Sequence, residues 1–368
     1  MKENAAITIG LTGNIATGKS VVRRMLSNCG ALDLDADLIA HRTLYPDGAA
    51  YLPVIKTFGE QILTENGQIS RSLLGEIVFS NPSSLASLEA LIHPAVSRAI
   101  RLRLSQSSAS LRVIEAIKLL ESDLKDVCDS LWVTEVSFSH QMERLLLNRK
   151  MTEREAHARI SAQAPHANKI KHAAVVINTE GSFEQTWQQI QQALNDTINS
   201  TSAPKTLPCF QTEKSAHLGI NRPLFECVAE FWQLHVGKDL EAFYKELGFR
   251  MVLPVLSQDR LKSLLIWENW NFTATLTKIL PDKRSNESVD ALFEAFTTHA
   301  LQKQCEILLL PKEIVREMCV SPAELGFEAL PSADLTYPAW QQAARKMTAS
   351  PDDLVWVKIL QQPINLQA

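Results

Sequence analysis

Residues 13–20, with the sequence GNIATGKS, fit the pattern G-x-x-x-x-G-K-[S/T] of the phosphate-binding P-loop. An apolar run of β type, residues 5–11, precedes this loop, and residues 21–26 begin an amphipathic helix after it. Strand, loop and helix therefore follow one another in the order that the motif requires. This stretch predicts a nucleotide-binding α/β fold.

Each residue type in the loop has a physical role. Glycine lets the backbone turn so that successive N–H groups face a phosphate, and the helix that follows adds its positive N-terminus. Lys19 is expected to reach the β- and γ-phosphates, and Ser20 to give its hydroxyl to Mg²⁺. ATP and Mg²⁺ are therefore the expected ligands. The predicted nucleotide contacts are Gly13, Asn14, Ala16, Thr17, Gly18, Lys19, Ser20 and Val21.

Further apolar runs of β type alternate with helical stretches through the first 180 residues. This alternation predicts an open parallel sheet with helices on both faces, and a ligand beyond the carboxyl ends of the strands. The four runs after the P-loop strand are residues 31–34, 112–117, 131–136 and 173–177.

The composition is that of a globular protein. The chain has 368 residues, 45% hydrophobic and 21% charged, which is enough for two domains. A net charge of −4 gives no field that would attract nucleic acid or an anionic membrane. No apolar run approaches the roughly 18 residues of a membrane span, and the N-terminus shows no secretory signal. Six scattered cysteines favour free thiols. We expect a cytoplasmic protein without nucleic-acid or membrane partners.

A change in composition divides the chain. Residues 195–208 are rich in small polar residues and contain two prolines, as is typical of a linker. We therefore predict a first domain over residues 1–203 and an additional α+β domain over residues 204–368. Five of the seven tryptophans follow the linker, which indicates that the second part has an aromatic core of its own.

Three aspartates alternate where the second apolar run ends. Asp33, Asp35 and Asp37 share one side for as long as the strand lasts. Asp37 either begins a helix as a capping acid or lies near the P-loop as a functional carboxylate. In the second role it could accept a hydroxyl proton or organise Mg²⁺ through water.

Several short motifs, in order, resemble those of dephospho-coenzyme A kinases, and the resemblance covers about residues 5–195. It implies transfer of the γ-phosphate of ATP to the ribose 3′-hydroxyl of dephospho-CoA, giving CoA and ADP, the last step of CoA biosynthesis. Besides the P-loop, the motifs are DADLIAH at 35–41, FGE at 58–60, GQISR at 67–71, IVFSNP at 77–82, LIHP at 91–94 and ARISAQ at 158–163.

The resemblance also assigns the acceptor side. It implies that Asp37 orients or deprotonates the ribose hydroxyl, with Asp35 as the second candidate. His93 matches an acceptor-side motif, although a histidine before proline is also a common helix or turn feature. Arg71 could pair with a substrate phosphate, or it could be an ordinary exposed arginine.

A basic segment follows the fourth run. Thr152 and Glu155 are predicted to form a capping box between two helices. Together these helices are predicted to form a lid over the phosphates. The resemblance places Arg149 of this lid near the transferring phosphate as a catalytic residue beside Lys19 and Asp37. The alternative for Arg149 is a solvated helix face, and Arg154 is assigned to such a face.

Three places depart from the family pattern: Asn14, Ala16 and Val21 in the P-loop, Asn178-Thr179, and, as the largest change, residues 113–121. At residues 113–121 the family often shows aspartate followed by Pro-Leu-Leu-Phe-Glu, whereas this chain has Ala116 and Lys118 in place of that aspartate and proline. Glu115 and Lys118 either form a different acceptor-site pair or flank a strand end. Two other functions therefore stay open: a nucleoside monophosphate-type kinase, and a non-catalytic nucleotide-binding regulator.

The second half weakly resembles GCN5-related N-acetyltransferases. Leu-Gly-Phe occurs at residues 247–249 and 325–327, and a helical stretch at 291–302 precedes a β-type run at 305–310. No glycine-rich pyrophosphate loop is visible, and a helix that ends at glycine would explain both short motifs. We expect a degenerate α+β domain, with an active acyltransferase as the alternative.

Overall fold

The computed structural model describes residues 6–200, 222–237, 240–257, 260–280 and 286–363. The boundary predicted near residue 203 lies outside these described residues. We call residues 6–200 the kinase half, after the family that their motifs resemble, and residues 222–363 the second half.

The kinase half is built on a five-stranded parallel sheet with the order β2-β3-β1-β4-β5. Each apolar run predicted from the sequence contributes one strand, so the predicted parallel sheet is confirmed. In the register of this sheet, Glu115 lies opposite both Leu11 and Asp35, which brings three strand ends to one edge. The strands are β1 (Ile7–Thr12), β2 (Leu32–Asp35), β3 (Leu111–Glu115), β4 (Ser130–Glu135) and β5 (Val175–Asn178).

Helices connect the strands of this sheet. They are α1 (Lys19–Asn28), α2 (Ala36–Thr43), α3 (Tyr51–Phe58), α4 (Arg71–Ser80), α5 (Pro82–Ser105), α6 (Phe138–Arg149), α7 (Glu153–Ser161), α8 (His166–Ile170) and α9 (Phe183–Ser200). Lys150 ends α6 with a φ of 52°, and Thr152 begins α7 with the predicted capping box. The two-helix segment with a tight break is therefore confirmed, and we call α6 and α7 the lid.

The second half contains a six-stranded mixed sheet with the order β10-β11-β9-β8-β7-β6, in which β8 and β9 are parallel. The predicted helix and strand at 291–310 are α12 and β9. The strands are β6 (Met251–Ser257), β7 (Arg260–Trp270), β8 (Thr273–Leu280), β9 (Ile307–Leu310), β10 (Glu328–Pro331) and β11 (Leu354–Ile359). The helices are α10 (Arg222–Val236), α11 (Leu240–Phe249), α12 (Asn286–Gln302), α13 (Lys312–Glu317) and α14 (Pro338–Arg345).

The two Leu-Gly-Phe motifs have different local causes. Gly326 ends a short helical turn with a φ of 80°, which is the expected glycine cap. Gly248 instead lies inside α11, where an added Cβ would approach Val21 Cγ1 to 3.0 Å. Gly248 therefore permits α11 to pack closely against the P-loop helix α1.

The two halves share apolar packing. One cluster joins Val22 and Leu26 of α1 to Trp232 and Phe243 of the second half. A second cluster, around Trp267, is made by second-half residues alone. The second half therefore has an aromatic cluster of its own and also shares apolar packing with the kinase half. None of the described helices is long and apolar enough to cross a lipid bilayer.

Candidate active site

The P-loop joins β1 to α1 and depends on two glycines. Gly13 and Gly18 have φ values of 156° and 86°. A Cβ on Gly13 would lie 2.4 Å from Thr134 Oγ1, and a Cβ on Gly18 would lie 2.9 Å from Thr179 Oγ1. Ala16 also has a positive φ, of 60°, which costs an alanine about 1 kcal/mol relative to glycine. The loop therefore has the inward-turned backbone that phosphate binding requires.

The motif lysine and serine begin α1. Lys19 is 7% exposed, and its Nζ donates to the carbonyl of Asn14 at 2.9 Å. Burial lowers the pKa of Lys19, although the charges of Glu115 and Asp37 oppose this shift. Ser20 is exposed, and its Oγ donates to Glu115 Oε1 at 3.1 Å. The backbone N–H of Val21 donates to Gly18 at 3.0 Å, so a nucleotide contact at Val21 stays a prediction.

The lid is bonded directly to the P-loop. Gln141 of α6 donates to the carbonyl of Ile15 at 2.9 Å, and Gln163, just after α7, accepts from the N–H of Ile15 at 2.7 Å. Arg144 donates to the carbonyl of Ala16 at 3.1 Å and to Thr179 Oγ1 at 3.0 Å. A movement of α6 or α7 would therefore be transmitted to the loop that holds the phosphates.

The three predicted aspartates occupy different environments. Asp33 is buried and accepts from Ser27 Oγ at 2.6 Å and Arg23 Nη1 at 2.5 Å. Burial opposes its ionisation, but Arg24 and Arg23 outweigh this effect and lower the pKa of Asp33 to about 2. Asp35 caps α2 by accepting from the N–H of Leu38 at 3.0 Å, and Arg23 Nη2 lies 3.2 Å from its other oxygen. The helix cap is thus Asp35 and not Asp37.

Asp37 lies in the first turn of α2 and is solvent-exposed. Although part of the residue is exposed, desolvation of its carboxyl by the surrounding protein, followed by the charges of Asp35 and Glu115, raises the pKa of Asp37 to about 6. The charges of Lys19 and Lys169 oppose this shift. A carboxylate with a pKa near neutrality, within the electrostatic range of the P-loop lysine, is suited to accept a hydroxyl proton.

Arg23 holds three carboxylates of this site, a role that the sequence did not predict. Its guanidinium contacts Glu115 at 2.6 Å as well as Asp33 and Asp35. Burial opposes the charge of Arg23, but the three carboxylates outweigh it and raise the pKa of Arg23. Its place one turn after Ser20 on the P-loop helix is the signal that could have indicated its position.

The proposed pair of Glu115 and Lys118 does not form. Glu115 is buried and faces Ser20 and Arg23, whereas Lys118 pairs with Glu89 of α5. Glu115, the last residue of β3 and the neighbour of Ala116, therefore places a carboxylate beside the P-loop serine, whereas Lys118 does not take part in this contact.

The oxygen atoms beside the P-loop fit Mg²⁺. Magnesium prefers oxygen donors and is commonly held by one or two protein groups together with substrate phosphates. The hydroxyl of Ser20 and the adjacent carboxylate of Glu115 supply donors of this type. Within the described ranges, no group of three or more His, Cys, Asp or Glu side chains forms a metal site by itself. The residues present therefore fit an ion that arrives with a nucleotide.

Arg71 and His93, the other residues predicted on the acceptor side, lie in different surroundings. Arg71 is the first residue of α4. The pKa of His41 is lowered mainly by burial and also by the charge of Arg71, so the two side chains lie near each other. Asp35 acts on the same histidine, so the structure brings Arg71 to the side of the acidic residues. His93 is exposed within α5, and its contact with substrate stays a prediction.

Two cations approach the P-loop from the lid side. Arg149, the last residue of α6, is exposed, and its charge contributes to the lowered pKa of Lys19. Lys169 of α8 was missed by sequence analysis, and it donates to the carbonyls of Ile117 at 2.8 Å and Gly13 at 3.4 Å. Burial and the charge of Lys19 lower the pKa of Lys169 to about 8. Arg154 is exposed on α7.

Comparison with known proteins relates the first half of the chain to one family. The family model for dephospho-CoA kinase matches residues 7–185. The dephospho-CoA kinase of Carboxydothermus hydrogenoformans is 43% identical over 185 residues, which are 50% of this chain and 90% of that protein. This chain belongs to the dephospho-CoA kinase family. The dephospho-CoA kinase of Thermobifida fusca is 36% identical over 197 residues, which are 51% of this chain and 98% of that protein.

The first half of the chain is also similar to a solved structure. TT1252 from Thermus thermophilus is 28% identical, with a TM-score of 0.47, and the match covers 52% of this chain and 96% of that chain. The family match includes the P-loop, Asp37 and the lid, and it ends before α10. The second half therefore lies outside the region that defines the family.

Proposed function

We propose that this protein transfers the γ-phosphoryl group of ATP to the ribose 3′-hydroxyl of dephospho-CoA, giving CoA and ADP. The observation that carries the proposal is the exposure of Asp37 together with its raised pKa. Asp33 and Asp35 are held by Arg23, and Asp35 also caps α2. Asp37 remains exposed beside the P-loop with a raised pKa. It is therefore the carboxylate available to an acceptor hydroxyl.

The remaining groups have complementary roles in this mechanism. The P-loop backbone and Lys19 hold the ATP phosphates, and Asp37 orients the ribose hydroxyl and takes its proton as the new P–O bond forms. Arg149 places a positive charge near the phosphoryl group in transfer and the lid excludes water. Ser20, with Glu115 beside it, would hold Mg²⁺, which neutralises phosphate charge when bound.

A turnover assay tests the proposed function directly. Purified protein is mixed with ATP and Mg²⁺ and with either dephospho-CoA or a panel of nucleoside monophosphates, and ADP release is followed. We expect turnover with dephospho-CoA and formation of CoA detected by mass spectrometry. Turnover with nucleotides alone would favour the nucleoside monophosphate kinase. ATP binding without turnover of any acceptor would favour the regulator.

The raised pKa of Asp37 predicts the pH dependence of the reaction. Because Asp37 must be ionised to accept a proton, kcat/KM for dephospho-CoA should fall about tenfold per pH unit as the pH drops below about 6. Initial rates across this range test the prediction, and a rate that stays flat down to about pH 5 would contradict it. ATP binding measured over the same range is the control, because phosphate groups also titrate near pH 6.

The lid offers a matched pair of arginines. Arg149→Ala should lower kcat about 100-fold, because it removes a cation from the transferring phosphate. Arg154→Ala is the control, since Arg154 is exposed on α7, and its kcat should stay within about twofold of the parent protein. Steady-state kinetics with both substrates distinguish the two variants. Equal losses in both would argue against a specific role for Arg149.

We place this reaction in the cytoplasm. It consumes ATP, and the described cysteines are free thiols, as is usual in a reducing compartment. Fractionation of cells that express the full chain, with detection of the protein in the soluble cytoplasmic fraction, tests this location.

A further inference from the structure

One carboxylate of the second half holds two arginines of the kinase half. Glu306 lies immediately before β9 and is 1% exposed. Its Oε2 accepts from Arg42 Nη2 at 2.7 Å and from Trp340 Nε1 at 3.0 Å. Its Oε1 accepts from Arg103 Nη2 at 3.2 Å. All three donors are buried, so this contact between the halves is screened from solvent.

The backbone of Glu306 is itself held by two hydrogen bonds. The backbone N–H of Glu306 donates to the carbonyl of Phe272 at 2.7 Å, and its carbonyl accepts from Leu360 at 2.8 Å. The ring of Phe272 lies 3.3 Å from the guanidinium carbon of Arg103 and 5.5 Å from that of Arg42. Carboxylate and ring together leave the two guanidinium groups little freedom to move.

Arg42 connects Glu306 to the active site. It lies in α2, the short helix that Asp35 caps and that carries Asp37 in its first turn. The Nη1 of Arg42 also donates to the carbonyl of Asn271 at 3.5 Å. Arg103 belongs to α5, which packs against α2. The start of α2 is thus held by Arg23 of the kinase half, and its end by the second half.

We propose that Glu306 is a positioning residue for phosphoryl transfer: by holding Arg42 and Arg103 it sets α2, and with it the Asp37 carboxylate, against the acceptor hydroxyl. This inference rests on the proposed function. A helix of two turns moves as a unit, so a displacement at Arg42 reaches Asp37. Displacements of about 1 Å at a reacting group can cost up to about 100-fold in rate.

The charges make Glu306 critical to this arrangement. Two buried guanidinium groups share the one carboxylate, and burial lowers the pKa of Arg103 to about 10 although Glu306 opposes the shift. Glu306→Gln keeps the shape of the side chain but leaves both guanidinium groups without their counter-charge. Mutual repulsion should then displace Arg42 and the end of α2.

Steady-state kinetics of Glu306→Gln in the full chain test this inference. We expect kcat/KM for dephospho-CoA to fall about tenfold, while KM for ATP changes by less than about twofold, because Glu306 does not contact α1. A purely structural role would lower the melting temperature without this selectivity for the acceptor. Unchanged kcat/KM for dephospho-CoA, or an equal effect on both substrates, would overturn the inference.

The matched control loosens the same interface at the other helix. Asn28 of α1 donates to the carbonyls of Leu247 at 2.9 Å and Arg250 at 2.8 Å, and accepts from the N–H of Val252 at 2.9 Å. Asn28→Ala removes all three bonds without touching α2. We expect a lower melting temperature with no selective loss for dephospho-CoA. The same selective loss in this control would show that Glu306 has no special role.

A second variant covers the case in which Glu306→Gln does not fold. Arg42→Lys keeps the positive charge opposite Glu306 but cannot reach both Glu306 and the carbonyl of Asn271. It should show the same selective loss for dephospho-CoA, and unchanged kinetics would overturn the inference. If the unaltered protein does not turn over dephospho-CoA, the proposed function fails. If it does and both variants match it, only the role of Glu306 fails.

Discussion

Replacing Asp37 with asparagine is expected to lower kcat with dephospho-CoA about 1,000-fold, in the middle of the range for a lost general base. The amide keeps the size of the side chain but cannot accept the proton of the ribose hydroxyl. Asp33 and Asp35 cannot substitute for it, because Arg23 contacts both carboxylates. ATP binding should persist, since the P-loop backbone does not use the Asp37 side chain and Glu115 continues to favour the charged form of Lys19.

The Asp37→Asn experiment needs both a binding measurement and a control acid. Calorimetric titration with ATP shows whether the nucleotide site is intact. Asp126→Asn is a suitable control because Asp126 is also exposed but lies in the helical turn Asp123–Val127, before β4. Its kcat should stay within about twofold of the parent value. Turnover by Asp37→Asn at a similar level would contradict the assignment of Asp37 as the base.

Truncation to residues 1–200 is expected to abolish folding and activity, although relatives of similar length are kinases. The cut would expose the faces of α1 and α9 that pack against α11. It would also leave Arg42 and Arg103 of the kinase half without Glu306. Uncompensated buried charge and newly exposed apolar surface both destabilise the folded state.

Thermal unfolding followed by circular dichroism, together with the ADP-release assay, tests the truncation. The full chain is the reference, and coexpression of residues 201–368 as a separate chain is the rescue control. We expect the short chain to lack a cooperative unfolding transition, and the second chain to restore part of the activity. A short chain with the activity and melting temperature of the full protein would show that the second half is dispensable.

Much of the kinase half could be predicted from its sequence because its signals are local. The GNIATGKS stretch with its apolar flank predicted β1, the loop and α1, and four further runs predicted β2 to β5. The capping box at Thr152 depends on residues three apart and was confirmed. Patterns of this kind are fixed by nearest neighbours, so a single sequence contains them.

The groups that tune the site could not be predicted, because they depend on long-range contacts. Arg23 meets Glu115 across 92 residues, and Arg42 meets Glu306 across 264. Only the strand order and the packing of the two halves bring these charges together. Whether Asp37 caps α2 or serves as a functional carboxylate was likewise undecided. Asp35 is the cap, because β2 runs to Asp35 and α2 begins at the next residue.

A crystal structure of the full chain with dephospho-CoA and a non-hydrolysable ATP analogue tests the central claim most directly. The account predicts the ribose 3′-hydroxyl within about 3.2 Å of an Asp37 carboxylate oxygen, in line with the terminal phosphate held by Lys19. A ribose hydroxyl bound far from Asp37, or directed away from the triphosphate, would contradict it.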